Sequence, residues 1–184
     1  SSKSLQCIIV NNKISNVCPG GIKDSGVGDS ETICESLANS LKIETEMIIP
    51  SSTGVIGWRL PVSNIVNAIP EAVKALQKES ILPAASGICT TDRFPKVRRY
   101  DSTSDNSWSI VGIAKGAGMV EPNMATMLSY IVTDVQISQE KLQEYLNSCV
   151  SSSFNSITVD GDQSTSDTVV IMSSNLKQLD NEEE

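Results

Sequence analysis

The chain has 184 residues, of which 39% are hydrophobic, and this is long enough for a domain with its own core. Its formal net charge is −8, whereas nucleic acids and anionic membranes bind basic surfaces, so neither is an expected partner. It contains no histidine, which excludes Ser-His-Asp and Cys-His catalysis from this chain and removes the commonest metal ligand.

The five cysteines are an odd number and show no C-x-x-C spacing. This pattern favours reduced, buried thiols over a zinc site or a disulfide framework. Cys89 stands beside two threonines, but no histidine is present to activate it, so it is a weak candidate nucleophile.

The first half of the chain alternates strand and helix patterns. The segment at 16–28 contains four glycines and a proline and predicts a loop. Asp29 or Ser30 is the expected cap of the first helix, Ser63 that of the second, and Pro70 is expected to break or kink the second helix. The predicted elements are a strand at 5–10, a helix at 31–41, a strand at 47–49 and a helix at 62–76.

The second half continues this alternation. A basic cluster at 96–100 beside a polar loop predicts a solvated hairpin edge, and Ser138 is the expected cap of the last helix. The predicted elements are a short helix from 84, strands at 108–113 and 130–132, a helix at 138–150, and a strand or the start of a helix at 169–172.

A central segment, Ala114–Leu128, joins two of these predicted strands. Its glycines permit positive φ and close backbone approach, and Pro122 fixes one φ and removes a donor. The segment also carries Lys115 and Thr126. A lone lysine or threonine beside a turn is ordinarily structural, so the functional interpretation depends on the whole string.

The strings Lys115–Met119 and Pro122–Leu128 closely resemble the signature of the ornithine acetyltransferase (glutamate N-acetyltransferase) family. Members of that family are made as one chain that cuts itself before the threonine of this motif. The threonine then becomes the N-terminal nucleophile of acetyl transfer. The resemblance therefore implies that the scissile bond is Ala125–Thr126 and that Thr126 is the nucleophile.

Two further strings resemble the same family and imply other site residues. Ser52–Gly57 resembles the loop that supplies the oxyanion hole, which implies Thr53 and Gly54 as donors, although Thr-Gly alone would more often be a tight turn. The string at 90–96 resembles one whose first threonine helps to bind substrate, which implies Thr90. By the same resemblance, Lys115 faces the substrate carboxylate.

A fourth string, at 157–168, also matches and is interpreted as a structured turn near the site. Two aspartates around a glycine suggest a metal loop in isolation, but the other EF-hand positions are not met. The chain departs from the family pattern at Lys13 and Ile14, where small residues are usual, and at Ser166, where asparagine is usual. The first departure is expected to affect the packing of its loop.

The resemblance implies acetyl transfer from N-acetylornithine to glutamate through an acetyl-Thr126 intermediate, within arginine biosynthesis. In the absence of histidine, the α-amine freed by cleavage, with a pKa of ~7.7–8.0, is the expected base. No metal or coenzyme is implied, and acetyl-CoA is an alternative acetyl donor. An N-terminal-threonine amidohydrolase or peptidase, and an inactive fragment or binding subunit, are the alternative interpretations.

The implied fold is an α/β layered sandwich of mixed sheets covered by helices, with which the predicted alternation agrees. Residues 1–125 would correspond to the family's first (alpha) subunit without its N-terminus, and residues 126–184 to the start of the second (beta) subunit. We expect one structural domain, part of a longer protein of alpha2-beta2 type. The expected location is cytoplasmic, or the mitochondrial matrix or plastid if the source is a eukaryote.

Overall fold

The computed structural model describes residues 4–20, 25–103, 107–118, 127–162 and 165–179. The chain divides into two compact units, Ser1–Ile81 and Leu82–Glu184. Their boundary does not coincide with the predicted subunit boundary after residue 125, which falls inside the second unit. The single structural domain and the subunit boundary both stay predictions.

The first unit is built on a strand–helix–strand crossover. The two strands pair in parallel, with Cys7 opposite Ile48 and Asn11 opposite Ser52. Parallel pairing of consecutive strands needs a crossover connection, which α1 provides. The strands predicted for this half of the chain are confirmed. The elements are β1 (Cys7–Asn11), α1 (Ser25–Leu41), a short 3-10 helix (Thr45–Met47), β2 (Ile48–Ser52) and α2 (Val62–Lys74).

The core of this unit lies between its helices and β2. The second predicted helix forms as α2, which runs through Pro70 instead of breaking there, and Ser63 lies inside it and is not its cap. An internal proline costs about 3 kcal/mol. Burial of Ile69 and packing of Val73 against the core offset that cost. The buried core residues are Cys34, Leu37, Ala38, Ile48 and Ile69.

Helix α1 begins at Ser25, inside the predicted loop, so that prediction is wrong for the end of the segment. Neither predicted cap acts as one. Asp29 lies inside the helix and accepts hydrogen bonds of 2.9 and 3.0 Å from the Arg59 guanidinium. The Ser30 hydroxyl accepts from the Asn16 side chain at 2.7 Å. Tertiary partners therefore occupy the polar groups that local sequence assigns to capping.

The second unit is built on a four-stranded mixed sheet with the order β3-β4-β5-β6. The first two pairings are antiparallel and the β5–β6 pairing is parallel. The basic cluster at 96–100 lies on the edge strand, as predicted, and the region at 169–172 is strand and not helix. The elements are α3 (Leu82–Gly87), β3 (Lys96–Asp101), β4 (Ser109–Lys115), β5 (Leu128–Val135), α4 (Gln139–Ser152), a short 3-10 helix (Phe154–Ser156) and β6 (Thr168–Lys177).

Helix α4 connects the two parallel strands and is capped as predicted. The Ser138 hydroxyl accepts a hydrogen bond from the Lys141 amide at 3.3 Å. Ile113 on β4 and Leu128 and Tyr130 on β5 lie on the same face of the sheet and are buried. The strand ends that the central segment connects are therefore buried on this face.

Both units combine sheet and helix, and the larger sheet mixes parallel and antiparallel pairing. The predicted α/β class with mixed sheets and helices is therefore confirmed. Among the described residues, no helix is long and apolar enough to cross a membrane.

Candidate active site

The central segment starts and ends on neighbouring strands of the second unit. Strand β4 ends at Lys115 and β5 begins at Leu128, and these two residues lie opposite each other in the antiparallel register. Residues 116–118 and Met127 are described, whereas the predicted scissile bond Ala125–Thr126 lies outside the described residues. Because the segment is joined to paired strands on both sides, a cut within it would leave each part anchored in the same sheet.

Lys115 is almost entirely buried, with 2% of its surface exposed. Burial lowers the pKa of Lys115 below its ordinary value, and the carboxylates of Asp92 and Asp167 oppose part of that shift. A cation in such a low-dielectric setting interacts more strongly with an incoming carboxylate than a solvated lysine would. Its substrate-binding role stays a prediction.

Asp92, which the sequence motifs left without a role, joins Thr90 to the start of the central segment. Its side chain is wholly buried and accepts hydrogen bonds from Lys96 Nζ, from the Gly116 amide at 2.9 Å and from the Thr90 amide at 3.4 Å. Burial raises the pKa of Asp92, but the hydrogen bonds from Lys96 and Gly116 outweigh it and hold the pKa below its ordinary value. The ionised carboxylate therefore ties the Thr90 and Gly116 backbones together.

Cys89 is not activated as a nucleophile. Its thiol donates to the Ala85 carbonyl at 3.2 Å. Burial and the neighbouring Asp92 raise the pKa of Cys89 above the ordinary thiol value, although Lys96 and Lys115 oppose the rise. Since the thiolate is the reactive form, this setting favours the inert, protonated thiol.

Asp167, also missed from the sequence, contacts the residue that follows the predicted nucleophile. Asp167 Oδ1 accepts from the Met127 amide at 2.6 Å, and the Thr168 amide donates to the Met127 carbonyl at 2.9 Å. Burial raises the pKa of Asp167, while the Met127 hydrogen bond and the charge of Lys115 limit the rise. The fourth string therefore ends beside the central segment. The sequence signal was the third carboxylate of this string, which lies directly before a strand and follows three hydroxyl residues.

Thr53 and Gly54 lie in the first unit, directly after β2, whereas Thr90 and Lys115 belong to the second. Thr53 is buried, and its amide donates to the Asn11 carbonyl at 3.1 Å. No hydrogen bond joins the Gly54 amide to a described residue, as an oxyanion donor requires.

Any side chain at Gly54 would be strained for a steric reason. Its φ is +129°, and a Cβ there would lie 2.2 Å from the carbonyl carbon and oxygen of Lys13. Residues that carry a side chain rarely adopt that φ, and a contact this short requires the backbone to move. A bulky residue at Gly54 would therefore disturb the fold of this loop as well as the proposed oxyanion donor.

Lys13 and Ile14, which differ from the family pattern, fit beside this loop. Lys13 has φ +81° and an exposed side chain. Its carbonyl accepts from the Val55 amide at 2.9 Å, and the Ser15 amide donates to the Val55 carbonyl at 2.9 Å. The two loops are thus braced by main-chain hydrogen bonds, which do not depend on small side chains at 13 and 14.

A cavity of about 540 Å³ opens on the second unit's sheet, with Phe94, Gly112, Ala114 and Ile131 among its lining residues. Lys115 alternates with Ala114 along β4, so its side chain lies on the opposite face. None of the predicted site residues that the structure describes lines this cavity. In the described ranges, no three Cys, Asp or Glu side chains form a cluster that could hold a metal ion.

The geometry thus defines an α/β protein with buried charged groups around the junction of two central strands. The sequence model of the ArgJ family matches residues 1–184, so the chain belongs to this family. The observed fold also matches solved members. The crystal structure of arginine biosynthesis bifunctional protein ArgJ from Bacillus halodurans has a TM-score of 0.55 and 34% identity, covering 64% of this chain and 61% of that one. Ornithine acetyltransferase from Mycobacterium tuberculosis, complexed with ornithine, has a TM-score of 0.55 and 28% identity, covering 63% and 61%.

Curated relatives are more similar in sequence but considerably longer. The arginine biosynthesis bifunctional protein ArgJ of Thermotoga neapolitana is 41% identical over 173 residues, which are 94% of this chain and 43% of that protein. The Bartonella henselae protein of the same name is 45% identical, covering 89% and 40%. A protein of Podospora anserina, named as mitochondrial, is 40% identical, covering 95% and 38%. The chain therefore spans about two fifths of the length of these relatives.

Proposed function

We propose that the protein containing this chain transfers the acetyl group of N-acetylornithine to glutamate in arginine biosynthesis, through an acetyl ester on Thr126. Membership of the ArgJ family and the ornithine complex of the Mycobacterium tuberculosis enzyme support this proposal. The structural observation that carries it is the buried Lys115 side chain, with Asp92 and Asp167 nearby, at the start of the segment that contains Thr126.

Self-cleavage comes first in this mechanism. The Thr126 hydroxyl oxygen attacks the Ala125 carbonyl carbon, the hydroxyl proton passes to the amide nitrogen, and the carbon–nitrogen bond breaks. The resulting ester is hydrolysed by water, which leaves a carboxylate on Ala125 and restores the Thr126 hydroxyl. The freed α-amine of Thr126 then accepts the hydroxyl proton in later turnovers.

Acetyl transfer proceeds by double displacement. Thr126 Oγ attacks the acetyl carbonyl of N-acetylornithine, the amide carbon–nitrogen bond breaks, and ornithine leaves with a proton on its amine. The glutamate amine then attacks the acetyl ester, which releases N-acetylglutamate and the threonine hydroxyl. Thr53 and Gly54 stabilise the oxyanion in both steps, and Lys115 and Thr90 bind the substrates.

No metal or coenzyme takes part in this scheme, and acetyl-CoA is an alternative acetyl donor. The two products of cleavage, 1–125 with any preceding residues and the part from 126 onward, assemble as an alpha2-beta2 type complex. The protein works in the cytoplasm, or in the mitochondrial matrix or a plastid if its source is a eukaryote. The two parts must stay together after cleavage, and the pairing of β4 with β5 supports this because it holds both parts in one sheet.

A hydrolase is the second candidate, because the same nucleophile and oxyanion donors form the same acyl-enzyme. The two classes differ in the second half-reaction, where either water or an amine attacks the ester. An amine acceptor such as glutamate needs a cation for its carboxylate, and the buried Lys115 favours the transferase for that reason.

Incubation of the complete protein with N-acetylornithine and labelled glutamate separates these functions. Labelled N-acetylglutamate is the expected product. Release of acetate without labelled product would establish the hydrolase instead. Absence of turnover after complete cleavage, verified by intact mass, would leave a binding role. Replacing N-acetylornithine by acetyl-CoA, with labelled glutamate still present, tests the alternative donor.

A further inference from the structure

Met127 is held at both of its main-chain polar groups by two consecutive residues, one directly before β6 and one at its start. Its amide donates to Asp167 Oδ1 at 2.6 Å, and its carbonyl accepts from the Thr168 amide at 2.9 Å. Its side chain is buried, and β5 begins at the next residue. The second of these bonds continues the β5–β6 ladder, whereas the first is an added side-chain anchor.

From this clamp we infer that Asp167 is a positioning residue, which fixes the main chain immediately after the Thr126 nucleophile by binding the Met127 amide. This inference rests on the proposed function, because it takes Thr126 as the nucleophile. Asp167 does not itself touch the substrate in this scheme. It acts through the peptide unit that joins Thr126 to the sheet.

The physical argument starts from the planarity of the peptide bond. The Met127 N–H lies in the same plane as the Thr126 carbonyl, and this planar peptide unit begins at the Thr126 Cα. Fixing the direction of this N–H therefore fixes the point from which the Thr126 side chain and amine project. Before cleavage, Thr126 has a peptide bond on each side. After cleavage, the bond to Met127 is its sole covalent connection, and the Asp167 hydrogen bond is unchanged because the cut does not consume that N–H.

The anchor itself is held in place by its setting. Asp167 directly precedes β6, whose first residue pairs with Leu128, so the carboxylate and its donor are carried by adjacent parallel strands. The bond is short, as expected when a carboxylate accepts from an amide. Asp167 also lies within electrostatic reach of Lys115, so a charge effect has to be separated from the acceptor effect.

Two variants of the complete protein separate these effects. Asp167→Ala removes the acceptor and should lower kcat by about 10- to 100-fold, the usual result of loosening a reacting group, with little change in KM for N-acetylornithine. Asp167→Asn keeps an acceptor oxygen but loses the charge. It should stay within about fivefold of wild type, because a neutral hydrogen bond retains roughly half the strength of a charge-assisted one. Asp101→Ala removes an exposed carboxylate from β3 and is the matched control, with wild-type kcat expected.

The rates are expressed per Thr126 that accepts labelled acetyl, so that a loss of folded protein does not count as a loss of rate. If Asp167→Ala does not fold, Asp167→Glu takes its place, because it keeps the charge but shifts the carboxylate by one methylene. A per-site kcat equal to wild type in the Ala or Glu variant overturns the inference. An Asn variant as slow as the Ala variant also overturns it, since Asp167 would then act through its negative charge near Lys115 and not as the acceptor for Met127.

Failure of the proposed function gives a different result. If the wild-type protein produces no N-acetylglutamate, the rate of self-cleavage, followed by intact mass, replaces turnover as the readout. Slower cleavage in Asp167→Ala than in Asp167→Asn then supports the positioning role, and equal cleavage in both overturns it.

Discussion

Replacing Asp92 with alanine should destabilise the second unit, because it removes a buried acceptor shared by three donors. The carboxylate has no exposed surface, and its partners are Lys96 Nζ and the amides of Gly116 and Thr90. Breaking a buried ion pair by removing one partner costs about 3–5 kcal/mol. The Lys96 side chain is 39% exposed, so water can solvate the ammonium group that is left behind. We therefore expect a loss near the lower limit, about 3 kcal/mol in the free energy of unfolding.

A double-mutant cycle with Lys96→Met tests where this energy comes from. Methionine keeps much of the lysine stem, and the Asp92 carboxylate retains its two amide donors. Lys96→Met should therefore cost less, about 2 kcal/mol. Because the Asp92–Lys96 interaction is already lost in Asp92→Ala, adding Lys96→Met to that variant should cost little more. Urea unfolding of the complete protein near neutral pH measures all four corners of the cycle.

The pH dependence gives a second test of the same reasoning. The folded-state pKa of Asp92 lies below its ordinary value, so the stability that its ionised form contributes is fully present above the unfolded pKa of ~3.9. That stability is lost as the pH falls through the lower folded-state pKa. The gap between wild type and Asp92→Ala should thus be constant near neutrality and narrow in acid. A gap below about 0.5 kcal/mol at neutral pH, the range of ordinary surface substitutions, would refute the reasoning.

Three predictions concern the proposed chemistry of the complete protein. Thr126→Ala should abolish self-cleavage and acetyl transfer, and cleavage of that variant at Ala125–Thr126 in intact-mass spectra would contradict the assignment. Thr53→Ala should lower kcat by ~10²–10³ with an unchanged melting temperature, whereas Gly54→Ala should lower both because of its contact with Lys13; wild-type turnover in Thr53→Ala would make the loop only a turn. Lys115→Ala should raise KM more than it lowers kcat, and steady-state kinetics showing the reverse would argue against carboxylate binding.

The sequence alone was sufficient for the elements whose signals are local. Ser138 caps α4, the basic cluster lies on an edge strand, and the strands on both sides of the central segment form where alternation predicts them. Such features depend on hydrogen bonds between near neighbours and on the period of apolar residues, which a single chain displays directly. The linear motifs likewise identified Thr53, Gly54 and Lys115 as candidates for the site.

Only the tertiary structure decided how polar groups are paired across the chain. Asp29 and Ser30 resemble helix caps in sequence, yet partners distant in the chain bind their side chains inside α1. Asp92 meets the Gly116 amide, and Asp167 meets the Met127 amide, across separations of 24 and 40 residues. The energy of a buried hydrogen bond depends on which donor the fold brings within about 3 Å, and no local pattern encodes that distance. For this reason the sequence named candidate reacting groups, while the fold revealed the carboxylates that hold the main chain around them.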